Sequence, residues 1–194
     1  MKASFFLAIS FVFLVSGCSS ISEIPASPVE AKVDSFDSKR LTVSVESIFG
    51  YGNNVASILN LRWNSDQPDI QIDAIIPVID NVSKLTINAD GDVFEVRPCS
   101  RLTNYSSDIY SPSLMTGQVS FVEMPWSHRT FCLSVEQYQK ISKSHLVKTK
   151  ISTMSKYWVA SFSPTGSTEV NNAAAHVKAF GDFSKALRAN GGLK

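Results

Sequence analysis

Residues 124–129 (MPWSHR) bring together the side chains of this sequence that are best suited to chemistry or recognition. Trp126, His128 and Arg129 combine an aromatic surface, a titratable ring and a positive charge, and tryptophan and arginine are enriched among the residues that dominate binding energy at interfaces. The proline ahead of them marks a break in regular structure. The sequence therefore predicts a loop, for which two interpretations stay open: it is a recognition surface, or Trp126 folds back and packs on the core.

Residues 100–118 form the longest stretch without a clean apolar period, and they are predicted to be a loop or a poorly specified strand. Tyr105 and Tyr110 lie in this stretch. Contact with a partner and packing on the core are again the two alternatives. The candidate partner-binding residues are therefore Tyr105, Tyr110, Trp126, His128 and Arg129.

Catalysis would need a nucleophile or base with partners, and the sequence offers no recognisable set. The three histidines, His128, His145 and His176, have no acidic neighbours along the chain. There is no Gly-x-Ser-x-Gly elbow, no His-Glu-x-x-His helix and no glycine-rich phosphate loop. Triads assemble in space, so an enzyme that uses Trp126, His128 and Arg129 in a cleft stays an alternative. We predict that the protein is not an enzyme and has no cofactor.

Residues 88–92 (NADGD) place oxygen atoms at alternate positions, as a calcium-binding loop does. With Gly91 as the sixth residue of such a loop, the first ligand would be Thr86 and the twelfth would be Arg97, and neither has a carboxylate. An Asp-Gly pair tolerates positive φ and is typical of a two-residue hairpin turn. We therefore predict a hairpin here and no metal site.

The N-terminus has the features of an export signal. Lys2 precedes an apolar run from Phe5 to Val15 that only Ser10 interrupts. A helix that spans a bilayer needs about 20 apolar residues, so this run is too short to be a membrane span.

The end of the signal, Val15-Ser16-Gly17-Cys18, resembles the lipobox of bacterial lipoproteins: an aliphatic residue, two small residues and a cysteine. The valine departs from the commonest pattern, which has leucine there. The resemblance implies removal of residues 1–17, a lipid on the thiol of Cys18 and usually an acyl chain such as palmitate on its amine. Ser19, in place of an aspartate, implies sorting to the outer membrane, with the periplasmic or the surface face left open.

Removal of residues 1–17 leaves 177 of the 194 residues, which suits one domain. Lys2 is the only charged residue removed, so 17 of the 18 basic residues remain against 17 acidic ones and the mature net charge is zero. That balance argues against nucleic-acid binding and against a polybasic membrane anchor. Residues 18–37, rich in Ser, Pro, Glu and Ala, are predicted to be a lipidated tether, and residues 38–194 the domain.

If Cys18 carries lipid, Cys99 and Cys132 remain as an even pair in an oxidising compartment. We predict a disulfide between them, which on the chain-entropy model stabilises the fold by about 3–4 kcal/mol. Free thiols or a metal pair are the alternatives, although two cysteines without clustered histidines make a poor zinc site.

Alternating apolar residues predict several strands. They fall at about 41–47, 58–63, 70–79, 85–87, 93–96, 119–123, 130–135, 146–153 and 157–162. Ser134 and Gln137 form a capping-box pattern that predicts a helix over 135–143. A second helix is predicted over 169–189, capped by Thr168, with an apolar stripe. The stripe consists of Ala173, Val177, Phe180, Phe183 and Leu187.

Strands in hairpin order, not interleaved with helices, indicate an α+β fold: a mainly antiparallel sheet with a long C-terminal helix packed on one face. The functional hypothesis is a membrane-anchored envelope lipoprotein that acts as a protein-binding or assembly module without catalysis. Its partners would be the membrane, through the N-terminal lipid, and an envelope protein. The alternative is an enzyme or small-ligand binder that acts on glycan or lipid, and a minor third possibility is attachment of the outer membrane to the cell wall.

The lipobox gives a first prediction. In cells fed a clickable palmitate analogue, the wild-type protein incorporates the label and the Cys18→Ala variant does not, because the thiol that receives the lipid is gone. The variant also keeps its signal, which raises its mass. Cys99→Ala is the matched control and still incorporates label; a labelled and cleaved Cys18→Ala protein would contradict the assignment.

Overall fold

The computed structural model describes residues 27–35, 40–52, 56–107 and 125–193. Within these residues, ten strands form one sheet in which every pairing is antiparallel, and two helices accompany it. This confirms a mainly antiparallel sheet with a C-terminal helix. The strands are β1 (Glu30–Val33), β2 (Leu41–Tyr51), β3 (Ala56–Asn64), β4 (Ile70–Ile76), β5 (Val82–Ala89), β6 (Asp92–Pro98), β7 (Asn104–Ser106), β8 (Trp126–Leu133), β9 (Val147–Thr153) and β10 (Tyr157–Phe162). The helices are α1 (Val135–Lys143) and α2 (Ala173–Ala189).

The sheet closes on itself. Each strand in the order β2-β10-β9-β5-β6-β8-β4-β3 pairs with the next, and β3 pairs again with β2. Two junctions of this ring are narrow. In the described residues β2 meets β10 only where Tyr51 lies opposite Ser161, and β6 meets β8 only through Arg97 and Pro98.

The predicted cysteine pair lies at the narrow β6–β8 junction. Cys99 directly follows β6, Cys132 lies in β8, and their Cα atoms are 5.5 Å apart, within the range that a disulfide requires. The backbone N–H groups of Cys99 and Ser100 both donate to the carbonyl of Thr130, at 2.9 and 3.2 Å. The covalent link therefore supports the sheet where its hydrogen-bond ladder is short.

Two glycines allow the other narrow junction to form. Gly50 and Gly52 flank the residue of β2 that pairs with β10. A Cβ on Gly50 would collide with the ring of Phe162, and a Cβ on Gly52 would collide with the carbonyl oxygen of Val159. The absence of a side chain at these two positions thus lets β2 approach β10 closely enough to pair.

The interior of the ring is a single apolar core. One face of each long strand contributes alternate residues to it, as the predicted period of two requires. Fully buried members from the strands include Val43, Leu61, Ile70, Ile72, Leu85, Ile87, Phe131, Ile151 and Phe162. The Asp90-Gly91 turn of the β5–β6 hairpin has positive φ at both residues, as predicted. The carboxylate of Asp90 also accepts the N–H groups of His145 and Leu146.

Helix α1 has the predicted bounds and the predicted capping box between Ser134 and Gln137. Its Tyr138 is fully buried and meets the ring of Phe183 edge-on at 5.6 Å. The Tyr138 hydroxyl donates to the carbonyl of Phe180 at 3.3 Å and lies 2.7 Å from the Ser184 hydroxyl. Burial raises the pKa of Tyr138 well above its usual range.

The predicted start of the second helix is wrong. Helix α2 begins at Ala173, and its N-cap is Asn172 in the left-handed region, not Thr168. The buried stripe is also rotated, because Val177 is exposed and His176 is fully buried in its place. A stripe predicted from apolar residues alone does not include His176, whose ring makes two hydrogen bonds in the core. No described helix is long and apolar enough to cross a bilayer.

Two further sequence predictions fail locally. Residues 126–129 lie in strand β8 and not in a loop, because pairing with β4 and β7 satisfies their backbone while Pro125 sits just before the strand. Residues 30–33, predicted to be tether, form the edge strand β1 on β2. The predicted strand at 119–123 lies outside the described residues, and so does most of 100–118.

The two ends of the ring differ. The end that we call the helix end holds the β5–β6 turn, helix α1 between β8 and β9, and the connection from β10 to α2. The opposite end, the loop end, holds the β4–β5 connection (77–81), the β6–β7 connection (99–103) and the β9–β10 connection (154–156).

Ring closure predicts opposite effects for two Gly→Ala substitutions. Gly50→Ala lowers the free energy of unfolding by about 1–3 kcal/mol because the methyl group overpacks the junction against Phe162. Gly181→Ala, in α2 with no atom near its Cβ position, raises it by about 0.5–1 kcal/mol through helix propensity. Urea unfolding measures both, and a neutral or stabilising Gly50→Ala would contradict the close approach.

Candidate functional site

A pocket of about 250 Å³ opens on the outer face of the sheet, across β2, β3, β4, β7 and β8. Its lining is mixed: an indole, an imidazole, two carboxylates, an amide, two hydroxyls and two aliphatic side chains. The residues are Glu46, Ser47, Ile58, Asn60, Asp73, Ile75, Ser106, Trp126 and His128.

The alternation of β8 brings two predicted residues to this pocket. Trp126 and His128 lie on its outer side, whereas Ser127 and Phe131 on the other side are fully buried. His128 lies opposite Ile75 of β4 and opposite Asn104 of β7. The same register places Asp73 two pairs away from Ile75, on the same face of β4, so the strand pairing alone sets the spacing of the site.

A β-bulge in β2 adds an acidic residue to the pocket. The register between β2 and β3 shifts between Val45 and Ile48, both of which are buried. Glu46 and Ser47 form the bulge, and Ser47 has a φ of 55°. The backbone N–H of Ser47 donates to Oδ1 of Asn60, another pocket residue, at 2.8 Å. Bulges commonly redirect side chains beside functional sites. The alternation that predicts a strand over 41–47 continues through Ser47 and does not predict this bulge.

The two carboxylates of the pocket differ in environment. Asp73 accepts a short hydrogen bond from the Thr130 hydroxyl and lies 3.7 Å from the guanidinium of Arg62. Glu46 is exposed. One carboxylate is therefore held by neighbours within the sheet, and the other is available to a ligand.

Trp126 has a buried donor without an acceptor. Its indole Nε1 is shielded from solvent and has no hydrogen-bond partner in the described part of the chain. A buried donor left unpaired costs about 1–3 kcal/mol.

Arg129, the third residue of the predicted set, has a different role. It lies on the opposite side of β8, and its guanidinium donates to the carbonyls of Val82 and Ser100 at 3.0 and 3.1 Å. Weaker bonds reach Ser83 and Arg101. Arg129 thus ties β8 to the start of β5 and to the β6–β7 connection, and the prediction that it joins Trp126 and His128 in one surface is wrong.

Tyr105, the one predicted tyrosine that the structure describes, does not line the pocket. Tyr105 is exposed in β7 opposite Ser127, while its neighbour Ser106 faces the pocket. Tyr110 lies outside the described residues.

The three histidines occupy three environments. His128 lines the pocket, and His145 is exposed with its Nδ1 2.9 Å from the Thr165 hydroxyl. His176 is buried, its Nδ1 accepts the N–H of Ser163 at 3.1 Å, and its Nε2 lies 2.6 Å from the carbonyl of Phe49. This pairing requires the neutral ring with the proton on Nε2, and burial lowers the pKa of His176.

Among the residues that the structure describes, no group of three or more His, Cys, Asp or Glu side chains is placed to hold a metal ion. The chain matches no protein-family model, no curated protein and no solved structure.

The burial of His176 gives a pH prediction. In the unfolded chain His176 takes up a proton near pH 6.5, whereas the folded ring does so only at lower pH. Between these two values the unfolded state binds more protons, so the stability present above pH 6.5 is lost as the pH falls toward the folded pKa.

Urea unfolding between pH 7.5 and 5 measures this loss. His176→Asn lowers the free energy of unfolding at every pH and makes it depend less on pH. His145→Asn, the matched control, keeps the wild-type pH dependence. Should His176→Asn not fold, an NMR titration of the wild-type ring decides the question. A His176 pKa at or above 6.5 would contradict the prediction.

Proposed function

We propose that the protein is a non-catalytic binding module of the bacterial cell envelope, anchored by lipid on Cys18, and that it contacts an envelope protein through the outer-face pocket. One observation carries the proposal. Trp126 and His128, singled out by sequence, converge with Glu46 and Asp73 around one recess. An aromatic residue in a recess with a polar rim is the usual anatomy of an interface anchor point.

The surroundings of His128 favour binding over catalysis. A general base is normally held by a third group that orients it. The His128 side chain has no hydrogen-bond partner among the described residues, and its cross-strand neighbour on β4 is Ile75. Asp73, the nearest fixed carboxylate on β4, is already engaged by Thr130 and Arg62. Within the described residues, His128 therefore has no partner of the kind that acid–base chemistry needs.

The proposal also includes the lipid anchor on Cys18. Acylation at Cys18 would hold the domain at the outer membrane, on its periplasmic or surface face, and tethering of this kind raises the effective concentration of a partner in the same membrane. A modest contact area around one pocket can then suffice. Residues 1–17 are the signal that is removed, and the tether runs from Cys18 toward β1.

The C-terminal helix leaves the pocket free in this proposal. Helix α2 buries Phe180, Phe183 and Leu187 together with strand residues of the core. We take this long helix to cover one face of the sheet. The partner would then bind the opposite face, where Trp126 and His128 lie.

A small ligand such as a glycan is the second candidate, and the presence of an aromatic side chain, Trp126, and an exposed carboxylate, Glu46, in one pocket favours it. A sugar hydroxyl can donate to the exposed carboxylate of Glu46. The apolar face of a sugar ring can pack on an aromatic side chain such as that of Trp126.

The proposal is tested by affinity capture from detergent-solubilised envelopes with the lipidated protein. A specific envelope protein is captured by wild type, and its recovery falls at least about tenfold with Trp126→Ala plus His128→Ala, since truncated interface anchors typically cost 2 kcal/mol or more.

Tyr157→Ala is the matched control, because it removes an exposed aromatic ring from the outer face of β10. Its capture stays at the wild-type level. Equal capture by the double variant would overturn the proposed surface. No captured protein from wild type, together with glycan binding that requires Trp126, would favour the second candidate.

A further inference from the structure

Strand β1 lies at the edge of the sheet. It pairs with β2 on one side, and no strand in the described part of the chain pairs with its other side. All four of its residues, Glu30–Val33, are exposed. An unpaired edge presents backbone N–H and C=O groups that can pair with a further strand. The open side of β1 is therefore a surface on which the sheet can be extended.

Hydrogen bonds at the end of β1 show which of its backbone groups point to the open side. The N–H of Asp34 donates to the carbonyl of Arg40 at 2.7 Å, in the same register as the pairs between β1 and β2. Hydrogen-bonded pairs alternate along an antiparallel ladder, so the even-numbered residues of β1 bond to β2. Leu41, opposite Val33, agrees with this phase, because its backbone groups bond to the residue that follows β3. The N–H and C=O groups of Ala31 and Val33 therefore point away from β2.

A second copy of β1 fits this open side in one register. Outward-pointing residues must face outward-pointing residues, and two such antiparallel registers pair three residues of β1 with each other. Their symmetry axes pass through Ala31 and through Lys32. An axis at Lys32 places two ammonium groups opposite each other, and like charges directly opposite are destabilising. An axis at Ala31 instead places Glu30 opposite Lys32 of the second copy, and does so twice.

The side chains on both faces of β1 suit the register with its axis at Ala31. On one face, Glu30 and Lys32 form an ion pair within one copy, and their side chains are 50% and 75% exposed. Two paired copies join these side chains in a group of four charges of alternating sign. On the other face, Val33 is 57% exposed and would lie opposite Val29 of the second copy, a residue that packs against the core. The contact thus covers an exposed apolar side chain as well as pairing charges.

We propose that β1 is a homodimerisation surface: β1 of one copy pairs antiparallel with β1 of a second copy, with Ala31 opposite Ala31 and Glu30 opposite Lys32. The sheet then continues from one copy into the other. The register follows from β1 alone and does not depend on the lipid anchor. Because the paired segment is short, tethering of both copies to one membrane would strengthen the contact by raising their effective concentration.

Cysteine crosslinking tests the register in intact cells that co-express two differently tagged copies of the full chain. In an antiparallel hydrogen-bonded pair the Cα atoms are about 5.5 Å apart, which suits a disulfide. After mild oxidation, Ala31→Cys therefore gives a disulfide-linked product that carries both tags. Val33→Cys is the matched control: its two cysteines lie four residues apart along the paired strands, about 14 Å, and do not crosslink. The wild-type chain gives the background.

Charge variants in the Ala31→Cys background test the pairing of Glu30 with Lys32. Glu30→Lys places like charges opposite each other twice and lowers the yield of crosslinked dimer at least about threefold, measured at equal amounts of protein. Glu30→Lys combined with Lys32→Glu restores opposite charges and returns the yield to the level of Ala31→Cys alone. General damage to β1 would not be repaired by this exchange.

Three results would overturn the proposed contact. They are the absence of a two-tag product from Ala31→Cys, equal crosslinking of Val33→Cys, and a yield that does not fall with Glu30→Lys or does not recover in the exchanged variant. Adducts of Ala31→Cys with a different protein only would assign this edge to another partner and would also overturn the homodimer.

Discussion

The closure of the sheet is the constraint on which the other features depend. Antiparallel strands that curl into a ring need both edges to meet, and here they meet at two narrow junctions. One is permitted by the missing side chains of Gly50 and Gly52, and the other is supported by the pair Cys99 and Cys132. Once closed, the ring encloses a single core, and every strand must send one set of alternate residues inward.

The candidate site follows from that alternation. Phe131 and Ser127 occupy the inner side of β8, so Trp126 and His128 must lie on the outer side, where they meet the outer residues of β4 and β3. The bulge at Ser47 departs from this alternation beside the pocket, and it places Glu46 in the pocket lining. Arg129 belongs to the inner side and braces the loop end. A single strand thus divides its residues between the outer-face pocket and contacts that hold neighbouring strands together.

Much of the fold could be predicted from local signals, and most of the site could not. The Asp90-Gly91 turn, the Ser134–Gln137 capping box and most strands carry short-range patterns that the structure confirms. Ring closure depends on long-range pairing, which no local pattern encodes. The segment 126–129 was singled out by residue type, but its strand conformation depends on β4 and β7. The bulge at Ser47 and the buried His176 were missed because both are defined by partners far along the chain.

The central claim is that the outer-face pocket, and no other outer surface, meets the partner. Site-specific photo-crosslinking in living cells tests it most directly, with a photoreactive residue in place of His128 and, as the comparison, in place of Tyr157. The account predicts a discrete crosslinked envelope protein from position 128 and none from position 157. Adducts of equal yield from both positions, or none from position 128, would contradict it.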